Sequence, residues 1–263
     1  MRYLFDHWQA IKNNLVRKIV FLFLDYDGTL APIAETPDKA AIPKETRELL
    51  KELSEDPRCR LAIISGRSLS DIKRAIGLKN VSYAGNHGLE IESPKLKFKS
   101  QVSPRLKEVI RNIYEELLLK ASKIKGAIIE DKGLTVSLHY RLVADRDMPG
   151  LKRIMREITE PFLARDEIKV TEGKRVFEIK PQVKWTKGNV VLWLLARQQF
   201  VLGVDKLLPV YIGDDVTDED GFRTLKNKGL TIFVGKPKPS EAAYYVKNTE
   251  EVVKFMKQLL ELG

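Results

Sequence analysis

Six apolar residues, Ile19-Val20-Phe21-Leu22-Phe23-Leu24, run without a break into Asp25-Tyr26-Asp27-Gly28-Thr29-Leu30. An unbroken apolar run of strand length, stopped by a turn signal, predicts a strand buried on both faces. Strands of that kind belong to parallel sheets covered by helices on each side, so this stretch points to an α/β fold. In open parallel sheets, ligands bind beyond the carboxyl ends of the strands, where Asp25 and Asp27 fall. Their spacing of two points both carboxylates the same way while the chain stays extended, with Tyr26 turned aside. Gly28 permits a sharp turn, and Thr29 adds a hydroxyl beside the acids. Two carboxylates held close cannot both stay charged unaided; a divalent cation or a shifted pKa must relieve the repulsion. A hydrophilic turn would explain Asp-Gly alone, but not the whole run.

The rest of the chain repeats the pattern. Residues 1–18 read as a short helix with Phe5, Trp8, Ile11 and Leu15 at helical spacing. Residues 31–42 read as a loop beside the acid pair, and Pro43 opens a helix. A second buried strand, Arg60-Leu61-Ala62-Ile63-Ile64, ends in Ser65-Gly66-Arg67 ahead of a helix start. That gives a phosphate oxygen a hydroxyl and backbone N–H groups, with Arg67 beside them. A third strand, 81–84, leads into Gly85-Asn86-His87-Gly88, a tight loop read as a substrate-side wall. From about residue 103 the pattern changes to helix, hairpin, helix, hairpin, an α+β unit inserted into the alternating chain. The expected boundaries are a core of residues 1–102 and 182–263, and an inserted cap of 103–181.

After Pro181 comes Lys187-Gly188-Asn189, ahead of an apolar helix. A lysine at a helix N-terminus opposes the macrodipole, a local cost which suggests that its ammonium is wanted there. A further apolar strand then runs into Gly213-Asp214-Asp215, and a strand over 230–234, a proline-containing loop and a helix over 249–262 close the chain. Asp218, Glu219 and Asp220 read as acids of a first helical turn. Asp214 and Asp215 stand at the strand end, where they would converge with Asp25 and Asp27 if the strands are neighbours. Four carboxylates in one crevice call for a hard cation, and oxygen ligands beside phosphate suit Mg²⁺.

The 263 residues, 43% hydrophobic, suffice for one large domain or two modest ones. A formal charge of +10 would suit nucleic acid, an anionic membrane or a small anionic substrate. No basic run with interleaved aromatics and no zinc-finger spacing supports nucleic acid. One cysteine, Cys59, excludes an internal disulfide and a cysteine-rich metal site. No apolar stretch reaches membrane-spanning length and no signal-peptide core is present, so a cytoplasmic protein with no membrane partner is expected. There is no Walker loop, no G-x-G-x-x-G and no H-E-x-x-H.

Asp25-Tyr26-Asp27-Gly28-Thr29-Leu30, Ser65-Gly66-Arg67, Lys187-Gly188 and Gly213-Asp214-Asp215, in this order, resemble the four motifs of haloacid-dehalogenase-like phosphohydrolases. Within that superfamily, Gly85 to Ile91, Glu130-Asp131-Lys132-Gly133, His139-Tyr140-Arg141 and Thr217-Asp218-Glu219-Asp220 resemble the trehalose-6-phosphate phosphatase family. The resemblance implies a Rossmann-like parallel-sheet core with a C2-type α/β cap, and Mg²⁺-dependent hydrolysis of trehalose 6-phosphate. It implies Asp25 as nucleophile and Asp27 as general acid and base, with Lys187 assisting. It further implies phosphate contacts from Thr29, Ser65, Gly66 and Arg67, and metal ligation by Asp25, Asp27, Asp214 and Asp215. Asn86, His87 and Gly88 would line the substrate side, and Glu130, Lys132 and Glu178 would meet sugar hydroxyls. The expected partner is a small sugar phosphate, and a monomer is expected. The alternatives for the same core are a sucrose- or mannosylglycerate-type phosphatase and a phosphomutase that retains the phosphoryl group.

Overall fold

The computed structural model describes residues 1–94, 96–100, 102–203 and 206–262. The chain forms two compact units: Met1–Ile33, Ala40–Lys99 and Trp185–Gly263 make the first, Ala34–Lys39 and Ser100–Lys184 the second.

In the first unit the chain runs β1 (Arg2–Tyr3), α1 (Trp8–Leu15), β2 (Ile19–Leu24), α2 (Lys44–Glu55), β3 (Cys59–Ile64), α3 (Leu69–Ile76), β4 (Ser82–Gly85), β5 (Glu90–Ser93) and β6 (Leu96–Lys99). The second unit holds α4 (Pro104–Lys120), β7 (Ile128–Asp131), β8 (Val136–His139), α5 (Met148–Leu163), β9 (Ile168–Gly173) and β10 (Val176–Pro181). The chain then returns through α6 (Lys187–Leu202), β11 (Leu207–Gly213), α7 (Glu219–Leu225), β12 (Leu230–Val234), β13 (Tyr244–Val246) and α8 (Thr249–Leu260).

The large sheet has the order β1-β13-β12-β11-β2-β3-β4-β5-β6. Its pairs are parallel from β1 to β4 and antiparallel over β5 and β6. β2 is buried on both faces because its alternate residues feed two cores. Val20, Leu22 and Leu24 pack with residues of α1, α2, α3 and α8. Phe21 and Phe23 pack with residues of α6 and α7. Each such fully buried side chain contributes about 1.5–3 kcal/mol relative to exposure. A charge placed anywhere within β2 would have no water on either side, which is why its acids wait for the strand end.

The second unit is a four-stranded antiparallel sheet in the order β7-β8-β10-β9. Val136, Leu138, Phe177 and Ile179 form its core with Ile110, Ile113 and Leu117 of α4 and Leu151, Met155 and Ile158 of α5. Alternation sends the intervening residues to the opposite face. There Glu130 is registered with Ser137, Ser137 with Glu178, and Glu178 with Thr171.

Three stretches differ from the sequence expectation. The first residues form an edge strand, Arg2 and Tyr3 pairing with Tyr244 and Tyr245; a 3₁₀ turn over Leu4–His7 follows, and the α-helix starts at Trp8. The stretch after the 85–88 loop is a hairpin that extends the sheet, and β13 closes the loop following β12. Among the described residues no helix is long and apolar enough to cross a membrane.

Candidate active site

β2 lies between β3 and β11, its Leu24 registered with Ile63 on one side and Ile212 on the other. From β2 the sheet grows in both directions, and this reversal opens a crevice at the carboxyl edge. Asp25, Ser65 and Asp214 each follow the last residue of one of these three strands. The edge brings together groups distant in sequence, and the Asp25 N–H donates to the Ile212 carbonyl across it (3.0 Å).

The centre of the site is a buried charge cluster. Lys187, the first residue of α6, is 3% exposed, and its Nζ donates to Asp25 Oδ1 at 2.7 Å and Asp218 Oδ1 at 2.7 Å. The helix therefore begins with a cation because two carboxylates from elsewhere outweigh the macrodipole. Burial works against the ammonium, but Asp218 and Asp25 prevail and hold its pKa well above the ordinary lysine range. For Asp25, burial pushes the carboxyl well above the usual carboxylate range; Lys187 pulls it down, while Asp218 and Asp214 push it further up. The buried carboxylates of Asp25, Asp214 and Asp218 offer oxygens within 4.8 Å of one another, so one lysine leaves two negative charges in excess. A proton or a cation must enter to relieve them.

This donor set fits a hard divalent cation: buried oxygens only, no nitrogen or sulfur. Asp218 is the least available of the three. Its Oδ1 accepts from Lys187 and from the Tyr211 hydroxyl (2.8 Å), and its Oδ2 from the Asp214 and Asp215 N–H groups (3.0 Å each). Four accepted bonds occupy the lone-pair directions of a carboxylate, leaving Asp25 and Asp214 as the pair to turn toward a metal. The side chains of Asp27 and Asp215 are outside the triad, and the Asp215 side chain caps the short turn that ends at Asp218. Two glycines make the packing possible. A Cβ on Gly28 (φ +90°) would sit 1.9 Å from Asp214 Oδ2, and one on Gly213 would sit 2.3 Å from Asp218 Cγ.

Asp218 was not among the residues expected to act; it read as a helix-start acid. It lies one turn beyond the strand end and folds back beneath it, fully buried. The available signal was Gly213, which leaves room for a returning side chain.

Asp27 points elsewhere, held by Arg67 in a paired bond: Nε to Oδ2 at 2.8 Å and Nη2 to Oδ1 at 2.6 Å. The guanidinium also lies over the Tyr26 ring, 4.7 Å from its centroid. Thr29 is fully buried, and its hydroxyl has no hydrogen-bond partner among the described residues. An orphaned hydroxyl beside the acids is what a bound oxyanion would satisfy.

Ser65, 1% exposed, accepts the Arg67 N–H on its hydroxyl (3.1 Å), with the half-buried Gly66 between them. Asn86 (φ +51°), His87 (φ +56°) and Gly88 (φ +100°) are successive left-handed residues, two of them not glycine. A non-glycine there costs about 1 kcal/mol or more. The turn is fastened to the Ser65 loop: the Asn86 N–H donates to the Arg67 carbonyl (2.7 Å) and the His87 N–H to the Ser65 carbonyl (2.9 Å). The Asn86 side-chain amide is turned to Glu90 (3.0 Å).

In the second unit, Glu130, Lys132 and Glu178 come together on the polar sheet face. Lys132 Nζ stands 3.8 Å from Glu130 Oε2 and 3.7 Å from Glu178 Oε1. His139 Nε2 is 2.8 Å from Glu130, and Lys180 Nζ is 3.0 Å from Glu178. Neither His139 nor Lys180 was expected to belong to this group; both alternate onto the same face.

A family model described as trehalose-phosphatase matches residues 23–250. The chain is 35% identical over 270 residues to trehalose-phosphate phosphatase B of Arabidopsis thaliana, covering 97% of this chain and 70% of that protein. The trehalose-6-phosphate phosphatase C-terminal domain of C. albicans has the same fold, with a TM-score of 0.82 at 24% identity over 97% of this chain and 98% of that one. A structure described as a trehalose-6-phosphate phosphatase related protein gives a TM-score of 0.75 at 28% identity, covering 92% of this chain and 98% of that one.

Proposed function

The chain belongs to the trehalose-phosphatase family, and from that premise we propose that it is a Mg²⁺-dependent phosphatase hydrolysing trehalose 6-phosphate through an aspartyl phosphate. The observation that carries the reading is the buried triad of Asp25, Asp214 and Asp218 threaded by Lys187 at the switch point of the sheet.

In this mechanism a carboxylate oxygen of Asp25 attacks phosphorus in line as the bond to the sugar oxygen breaks. Asp27 gives its proton to the departing oxygen, and then takes one from the water that attacks the aspartyl phosphate. Inorganic phosphate leaves and Asp25 is restored. Because Arg67 occupies both oxygens of Asp27, the acid role requires the guanidinium to let go of at least one; a phosphate dianion offers Arg67 an equivalent paired acceptor. Lys187 fixes the attacking carboxylate and, with Ser65 and Thr29, stabilises charge on the phosphoryl oxygens. Mg²⁺ would be held by Asp25, Asp214 and the Asp27 main-chain carbonyl, and supplies neutralisation of phosphate charge. Selectivity for the disaccharide is assigned to the inserted unit, with Glu130, Lys132 and Glu178 meeting sugar hydroxyls.

Asp25→Asn tests the covalent step. Turnover should fall on the order of 10⁴-fold or more, and acid-quenched wild-type enzyme should carry phosphate on the peptide containing Asp25. A folded Asp25→Asn protein with near-normal activity would end the covalent mechanism.

A further inference from the structure

Trp185 is the first residue of the core unit after the insertion, two positions before Lys187. Its indole N–H donates to the Gly88 carbonyl at 2.7 Å, across 97 residues of sequence. Its ring stacks on Phe98, centroids 5.0 Å apart and planes inclined by 27°, and Phe98 also meets Trp193 at 5.5 Å. Phe98 belongs to β6, the last strand before the insertion, so the stack pins the departing chain to the returning chain within the core unit. The close approach of α6 to the turn is built in: a Cβ on Gly88 would lie 2.1 Å from Val190 Cγ2 and 3.3 Å from Trp185 Nε1.

Two short mechanical paths leave this indole. One passes through Gly88 to His87, whose N–H holds the Ser65 carbonyl, and to Asn86, whose N–H holds the Arg67 carbonyl. The other passes through Thr186, whose N–H is capped by Asn189 Oδ1 (2.9 Å), into the helix start that aims Lys187 at Asp25. Ser65 and Lys187 come from different β-α units, and the Trp185–Gly88 bond ties the segment leading into Lys187 to the 86–88 turn, which itself holds the Ser65 loop.

We propose that Trp185 is a positioning residue that sets the Ser65 hydroxyl in register with the Lys187 ammonium, through its N–H bond to Gly88. The proposal rests on the reading of Ser65 and Lys187 as phosphoryl-binding groups. It concerns the core alone, so any phosphomonoester should feel the loss, whatever its alcohol. Groups that bind charge on the transferring phosphoryl act most strongly in the transition state, so kcat should move more than KM.

The test compares Trp185→Phe, which keeps an aromatic ring against Phe98 but has no donor, with site-specific 3-benzothienylalanine, which keeps the indole shape and replaces N–H by sulfur. Both should lower kcat about fivefold to tenfold, the effect of one neutral hydrogen bond. The loss should be equal for trehalose 6-phosphate and 4-nitrophenyl phosphate, with KM little changed. Vanadate binding, read by calorimetry without turnover, should weaken by a similar factor, and Tm should stay within about 2 °C. Unchanged kcat and vanadate affinity in both variants would overturn the proposal. A loss confined to trehalose 6-phosphate, or to the Phe variant, would also overturn it, making Trp185 a sugar contact or a packing residue. If wild type hydrolyses 4-nitrophenyl phosphate but not trehalose 6-phosphate, the substrate reading falls, and the Trp185 comparison still runs on the aryl substrate and vanadate.

Discussion

In the core unit a lysine is clamped 2.7 Å from each of two buried carboxylates. In the inserted unit Lys132 stands 3.8 Å from Glu130 and 3.7 Å from Glu178. Both are a buried lysine between two acids, but the ion-pair distances are about 1 Å longer in the second, where Glu130 and Glu178 are shared with His139 and Lys180. Chemistry on phosphorus requires groups fixed to a fraction of an ångström, because misplacement erodes the advantage of a preassembled site. Recognition of sugar hydroxyls has the opposite need: acids and ammonium groups must exchange one another for a ligand. On the proposed reading, this difference in geometry is the one expected between a reacting cluster and a selecting one.

The comparison breaks first on stability. Lys187→Met strands two buried carboxylates and should cost about 3–5 kcal/mol in urea unfolding without metal. Lys132→Met, whose side chain is also buried but whose ion-pair distances are longer, should cost less, about 1–3 kcal/mol. The pH dependence sharpens this. The folded-state pKa of Lys187 is raised, so its stabilising contribution is complete below the ordinary lysine value of about 10.4 and is lost as pH rises through the folded value. Wild type should therefore shed stability at high alkaline pH that Lys187→Met has already lost. Equal costs for the two lysines would erase the distinction between the clusters.

On activity, replacing Glu130, Lys132 and Glu178 together by Ala should lower kcat/KM for trehalose 6-phosphate about a hundredfold or more, summing several charge-assisted hydrogen bonds. Hydrolysis of 4-nitrophenyl phosphate should change little. Equal losses on both would move these residues from recognition to folding.

The smallest expected effect is on metal affinity. Asp214→Ala should weaken Mg²⁺ binding by more than about tenfold. Asp220→Ala should leave it near wild type, since Asp220 lies on α7 and pairs with Arg223 at 3.1 Å. Matching effects would mean that the strand-end acid has been misassigned.

Much of the core was legible in the sequence because its signals are local. A buried strand announces itself as an apolar run, and the acids or serine that end it follow immediately, so β2, β3 and β11 and their terminal residues could be read directly. The Glu-Ile-Glu and Leu-Lys-Phe-Lys alternation of the β5–β6 hairpin also has period two, but each strand is only four residues long, a weak signal beside a glycine-rich loop. Asp218 was hidden because a first-turn acid and a folded-back one look alike in sequence. Its burial depends on Gly213 and on a lysine 31 residues earlier. β1 and β13 are two and three residues long, too short for any periodicity to register. The Trp185–Gly88 bond joins residues 97 apart, and only the folded sheet brings them together.

Phosphate release by the purified protein from trehalose 6-phosphate, glucose 6-phosphate, sucrose 6-phosphate and 4-nitrophenyl phosphate, with and without Mg²⁺, tests the central claim most directly. The account predicts stoichiometric phosphate from trehalose 6-phosphate, a kcat/KM for it well above the other three, and loss of that activity when Mg²⁺ is withheld. No phosphate from trehalose 6-phosphate in Mg²⁺, or a rate no better than for glucose 6-phosphate, would contradict it.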